Sequence, residues 1–144
     1  SLSNPRSYEL LGELPELYSL WIDHNDLKSL PVTLGAISQI RFLYIEHNGL
    51  EQLPEEISGM KKLWVLHAGY NNFRELPLEF TNMNSLLMVH INNNQIQNVA
   101  EDFHTKKYPL KGLILDNNVL SPTEIKYAKY IFKDFFMLSF EQKE

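Results

Sequence analysis

Four of the five histidines in this chain form two pairs, His24 with His47 and His67 with His90, each pair 23 residues apart. Imidazole is a metal ligand, a proton carrier near neutral pH and a compact polar ring for contacting a partner. His67 and His90, with Glu46 as an oxygen donor, are the set to consider for a zinc-like ion if a 23-residue step places them on neighbouring strands. No HExxH or comparable ligand spacing accompanies them. A hydrolytic reading would take Ser19, His67 and Asp23 as nucleophile, base and orienting acid, and Asp23 and Glu46 are a pair of carboxylates. Neither set comes with residues that would build an oxyanion hole or close a cleft. No enzyme activity, cofactor or metal centre is therefore expected.

Bulk properties narrow the partners. The net charge of −5 at pH 7 argues against nucleic acid, whose phosphates call for clustered lysine and arginine. No apolar run approaches the roughly 18 residues that a membrane-spanning helix needs, so no membrane insertion is expected. No signal-peptide pattern opens the sequence. The chain has no cysteine, which removes disulfide caps, thiolate metal sites and thiol nucleophiles. At 144 residues it reads as one domain.

The elements that must position the histidines follow from a repeat. Asn25, Asn48, Asn71, Asn94 and Asn118 recur at intervals of 23, 23, 23 and 24 residues inside the frame LxxLxLxxNxLxxLP. With each Asn at position 9, position 1 is Leu17, Ile40, Leu63, Leu86 and Leu110, and position 4 is Leu20, Leu43, Leu66, Val89 and Leu113. Position 6 is Ile22, Ile45, Ala68, Ile91 and Leu115, and position 11 is Leu27, Leu50, Phe73, Ile96 and Leu120. Alternation around positions 4 and 6 predicts a short half-buried strand whose positions 3, 5 and 7 face out. The Asn side chain, with two donors and an acceptor, suits the buried backbone of the turn that follows. Leu30-Pro31, Leu53-Pro54 and Leu76-Pro77 open return segments whose apolar spacing of three predicts 3₁₀ turns. The fourth repeat has Val99-Ala100 in that place and one extra residue near Lys106–Pro109, which predicts a distorted return.

This pattern over about residues 17–120 resembles the leucine-rich repeat family, in the 23-residue class found in bacterial and eukaryotic intracellular members. The resemblance implies an α/β solenoid: a right-handed arc with a parallel sheet on its concave face, short 3₁₀ or irregular convex segments, and a helical cap at each end. Residues 1–16 are expected to be the first cap, with Asn4 as N-cap, Pro5 in the first turn, and Tyr8, Leu10, Leu11 and Leu14 covering the core. Residues 121–144 are expected to be the second. There Ser121-Pro122-Thr123-Glu124 is a capping box that starts a helix to about Lys133, with Ile125, Ala128 and Ile131 or Phe132 inward. Phe135, Leu138 and Phe140 then predict a sixth strand over residues 136–140.

In such an arc the outward strand positions form the recognition surface. Here they carry Trp21, Phe42, Tyr44, Val65, His67, Met88, His90 and Ile114, margined by Asp23, His24, Glu46 and His47. Water-facing positions this apolar and aromatic predict a covering partner. The expected function is non-catalytic binding of another protein, with a metal- or small-ligand-binding role through the same histidines as the competing reading. A monomer is the expected state, and edge pairing of the terminal strand near Met137 and Ser139 is the route to a dimer. By the habit of the family, a secreted or cell-surface bacterial protein aimed at host molecules is expected rather than a cytoplasmic one.

Overall fold

The computed structural model describes residues 3–142. Six three-residue strands, β1 (Ser19–Trp21), β2 (Phe42–Tyr44), β3 (Val65–His67), β4 (Met88–His90), β5 (Gly112–Ile114) and β6 (Met137–Ser139), form one parallel sheet in chain order. The register pairs identical repeat positions, Trp21 with Tyr44, Tyr44 with His67 and His67 with His90. One 23-residue step is therefore one strand spacing. Leu43, Ile45, Leu66, Ala68, Val89 and Ile91 are fully buried, as the alternation requires. The sixth strand forms where expected and is one edge of the sheet. None of the described helices is long and apolar enough to cross a membrane.

The asparagine column joins each coil to the one before it. Asn71 Oδ1 accepts from the backbone N–H of Asn48 (3.1 Å) and Leu50 (3.2 Å). Its Nδ2 donates to Ile45 O of the preceding coil at 3.0 Å and to Ala68 O of its own at 3.1 Å. Asn48 serves Asn25 and Leu27 in the same way, Asn94 serves Phe73, and Asn118 serves Ile96. These amides satisfy turn groups that would otherwise be buried without partners.

On the opposite side the first three returns are 3₁₀ turns, Val32–Ala36, Glu55–Gly59 and Leu78–Asn82. They stack closely enough that Gly35 and Gly59 cannot carry a side chain. A Cβ on Gly35 would lie 2.5 Å from Glu56 O, and one on Gly59 would lie 2.8 Å from Gly35 O. The fourth return departs as expected and winds into a short helix, α2 (Asp102–Thr105). Its end is held by the Tyr108 hydroxyl, which donates to Phe103 O, and burial pushes that phenol up to about 12.

The caps differ from expectation in detail. The first helix, α1 (Pro5–Leu11), starts on Asn4, whose side chain accepts from Arg6 N, and it buries Tyr8 completely. Leu10 and Leu14, expected to cover the core, are exposed. A two-turn helix turns only its i, i+3 face inward, here Tyr8 and Leu11, and Leu14 lies beyond the helix end at Gly12. The last helix, α3 (Pro122–Ile131), stops two residues before Lys133. It buries Ala128, and Phe132 just past its end is buried too, while Ile125 is half-buried. Ser121 accepts from Glu124 N at 3.1 Å, but the return arm of the capping box is missing: Glu124 Oε2 is buried with no hydrogen-bond partner. Residues 1, 2, 143 and 144, which the expected caps included, lie outside the described residues.

Candidate functional site

All twelve residues expected to meet a partner lie on the outward face of the sheet or its margin, in rows set by the register. The position-5 row is a continuous stack of rings. Trp21 and Tyr44 lie with centroids 3.7 Å apart and planes 14° from parallel. Tyr44 and His67 follow at 4.5 Å and 9°, then His67 and His90 at 4.3 Å and 12°. Neighbouring strands are about 4.8 Å apart, close to ring-stacking distance, so flat side chains at one position on successive strands pile face to face. Ile114 continues the row beyond His90.

A second stack runs parallel at position 8, where His24 and His47 are 4.2 Å apart and His47 and Tyr70 4.3 Å. Every residue in this row has a left-handed backbone, with φ of 58° at His24, 52° at His47, 56° at Tyr70, 55° at Asn93 and 56° at Asn117. That conformation ends the strand and swings the side chain back onto the face. His and Asn enter it more readily than most residues, whereas a tyrosine there is strained by about 1–3 kcal/mol. The sequence reading missed this requirement, although the recurrence of His and Asn at one position was its visible signal. Between the two stacks runs a row with Asp23, Glu46 and Asp116. Asp23 Oδ2 meets His24 Nδ1 at 2.8 Å, and this bond, more than any other influence, holds the Asp23 carboxyl below its ordinary range.

A third row was also missed. At position 2 the Arg41 guanidinium lies between Tyr18 and Trp64, 4.4 Å and 5.3 Å from their ring centroids. Trp64 in turn meets Phe42 edge-on at 6.2 Å. In the position-3 row, Phe42, Val65 and Met88 are half-buried, and Met88 reaches over Gly112, where an added Cβ would come within 2.2 Å of Met88 Sδ.

The imagined catalytic set does not assemble. Ser19 and His67 lie on β1 and β3, with β2 between them. Ser19 Oγ instead accepts from Trp21 Nε1 at 3.0 Å, and Asp23 holds His24 rather than His67. Two open clefts, of 290 and 230 Å³, lie off the face, one lined by Glu51, Phe73, Arg74 and Pro77 and the other by His104, Lys107, Tyr108 and Lys111. Nor does the histidine geometry suit a shared ion. Stacked imidazoles keep their nitrogen lone pairs in parallel planes, whereas zinc needs nitrogens converging on one point at about 2.0–2.1 Å. Among the described residues no group of three or more His, Asp or Glu gathers in a metal-binding arrangement. Zinc titration is expected to give neither saturable heat nor a rise in melting temperature, and a stoichiometric response lost in His67→Ala would contradict this.

Burial lowers the pKa of His67 from its ordinary 6.5. His90 is lowered chiefly by burial and further by His67, with Glu46 opposing. A lowered histidine pKa means the unfolded chain binds more protons between the two values. The resulting stability is complete above pH 6.5 and is lost as pH falls through the folded values. Melting temperature is therefore expected to fall with acidification in that window, and less steeply in the His67→Asn, His90→Asn double variant. An equal slope in both proteins would show that the stack is not responsible.

Neither the protein-family models nor the curated proteins yield a match to this sequence. Solved structures do. A leucine-rich repeat protein of Leptospira interrogans is 27% identical with a TM-score of 0.77, covering 90% of this chain and 33% of its own. TLR13, in a complex with ssRNA13, is 25% identical with a TM-score of 0.71, over 84% of this chain and 18% of its own. An internalin of Listeria monocytogenes shares the fold at 18% identity and a TM-score of 0.62, over 94% of this chain and 46% of its own. The chain thus spans about a third of the length of the Leptospira protein. A sheet built one strand per 23-residue repeat, bound coil to coil by asparagine and matched by such neighbours, has one reading: the chain is a leucine-rich repeat solenoid.

Proposed function

We propose that this protein is a non-catalytic module that binds another protein across the outward face of its sheet. The observation that carries the reading is the pair of ring stacks, Trp21–Tyr44–His67–His90 and His24–His47–Tyr70, displayed on open strands. Stacking locks these side chains before a partner arrives, so little rotamer freedom remains to be lost on binding. Because the ring faces are occupied by each other, the ring edges point outward and offer the Tyr44 hydroxyl and imidazole nitrogens to a partner's polar groups. The half-buried row of Phe42, Val65 and Met88 supplies the apolar part of the contact.

Asp23, Glu46 and Asp116 along the same face favour a protein over the RNA bound by TLR13, because carboxylates repel phosphates. We extend the proposal to a bacterial source, for which the Leptospira neighbour is the support, and to a secreted or cell-surface location with a partner of host origin. The test is quantitative capture of the partner by the wild type, by Tyr44→Ala and His67→Ala on the face, and by Glu55→Ala in a 3₁₀ turn on the other side. Each face variant is expected to weaken binding by at least ~1 kcal/mol, with the Glu55 variant unchanged. Undiminished affinity in both face variants would remove the sheet face from the interface.

A further inference from the structure

Between the two ring stacks, the position-7 row runs Asp23, Glu46, Gly69, Asn92, Asp116 and Glu141 from coil to coil. Neither this row nor the position-5 and position-8 rows beside it contain a lysine or arginine. Two of the row's carboxylates are engaged within the protein. Asp23 holds His24 at 2.8 Å, and Asp116 Oδ1 accepts from Glu141 N at 3.0 Å. Glu46, in the middle of the row, is half-buried, and among the described residues its carboxylate has neither a hydrogen bond nor an ion pair. Gly69 beside it puts no side chain into the row. Asn92 leans into that space from the far side, its Oδ1 lying 2.8 Å from where a Cβ on Gly69 would be. The amide is held this way round by its Nδ2, which donates to Asn93 Oδ1 at 2.9 Å. Among the described residues Asn92 Oδ1 has no donor of its own. A carboxylate and an amide oxygen thus flank the glycine, and the protein supplies a donor to neither. The strands that precede these three residues, β2, β3 and β4, each have a neighbour on both sides, so the gap belongs to the interior of the sheet.

We propose that the gap over Gly69 is a subsite for an arginine side chain of the partner protein, whose guanidinium bridges the Glu46 carboxylate and Asn92 Oδ1. This rests on the sheet-face reading and gives the partner a chemistry. Glu46 and Asn92 follow strands on either side of β3, roughly 10 Å apart at the backbone by two strand spacings. A guanidinium carries donors on opposite edges of one plane and reaches both sides, whereas an ammonium is a point charge that meets one or the other. The bond to Glu46 is charge-assisted and supplies most of the attraction. Glycine lets the incoming group descend onto the backbone, where any other residue would fill the space. The imidazoles of His67 and His90 border the gap at position 5. Burial favours their neutral forms, so they set no positive charge against the ligand near neutral pH.

The test uses three capped pentapeptides that differ only at a central Arg, Lys or citrulline, titrated into the isotope-labelled full chain. The Arg peptide is expected to shift the backbone amides of Gly69 and Tyr70 and the side-chain amide of Asn92. It is expected to bind at least threefold more tightly than the Lys peptide and at least tenfold more tightly than the uncharged citrulline peptide. Glu46→Gln is expected to weaken it at least fivefold, while Glu55→Gln, which removes the same charge from a 3₁₀ turn, leaves it unchanged. Gly69→Ala, which fills the gap, is expected to weaken it at least threefold, and the native chemical-shift pattern reports whether each variant is folded. Equal affinity for the Arg peptide and either of the others, an equal effect of the two Gln variants, or no shift at Gly69 at millimolar peptide would each overturn the subsite. Capture of the partner separates this from the wider reading. Loss of capture in Tyr44→Ala with full capture by Glu46→Gln would keep the sheet face as the interface and remove the arginine subsite.

Discussion

Asn71→Ala is expected to lower the unfolding free energy by about 2–5 kcal/mol, while Asn25→Ala changes it by less than about 0.5 kcal/mol. The two residues occupy the same repeat position, and the difference is entirely one of neighbours. Removing the Asn71 amide strips its acceptor from Asn48 N and Leu50 N and its donor from Ile45 O and Ala68 O. Leu50 is fully buried, so its orphaned N–H has no water to turn to and costs about 1–3 kcal/mol. Ile45 O and Ala68 O each lose one of two donors and keep Asn48 Nδ2 and Asn94 Nδ2 at 3.1 Å. Asn25 is exposed, and among the described residues its side chain serves Asp23 O of its own coil alone. Urea unfolding of the two variants under one set of conditions measures the contrast. Equal destabilisation would mean that the side chains contribute through their own turns rather than by joining coils.

Gly35→Ala is expected to cost about 1–3 kcal/mol, although alanine favours a helical turn over glycine. The added methyl would sit 2.5 Å from Glu56 O and 3.4 Å from Glu56 C, both backbone atoms of the next 3₁₀ turn. Backbone cannot rotate aside as a side chain can, so the two turns must separate and loosen the packing around Leu34 and Ile57. Gly69→Ala is the comparison. Its methyl would meet the Asn92 amide, with Oδ1 at 2.8 Å, and that side chain can change rotamer. Thermal melts of both are expected to show a clear drop for Gly35→Ala and a small one for Gly69→Ala. A reversed order would mean that the 3₁₀ turns slide past each other freely.

Much of the site was legible because the repeat maps sequence onto space in a simple way. A 23-residue step is one strand spacing, so residues sharing a repeat position must share a row, and Trp21, Tyr44, His67 and His90 could be placed side by side. Positions 4 and 6 were readable as core because a strand alternates its side chains, and Asn at position 9 because a buried amide can serve several backbone groups. The Tyr18–Arg41–Trp64 row escaped because position 2 lies outside the alternating strand, and polarity alone does not show a guanidinium between two rings. Leu10 and Leu14 were misplaced because apolar character says nothing about which side of a two-turn helix meets the core.

By itself, then, the sequence determined the repeat fold, the order of strands, and the residues sharing each row, since all of these are set by periodicity. The tertiary structure decided what period cannot encode. It turned the rings face to face, so that their edges rather than their faces look outward, and it set the two histidines of each pair parallel instead of converging. It bent position 8 into a left-handed backbone, and it set the Arg41 guanidinium between two rings. The physical reason is that adjacency follows from the spacing of residues, whereas orientation follows from side-chain torsions and local packing.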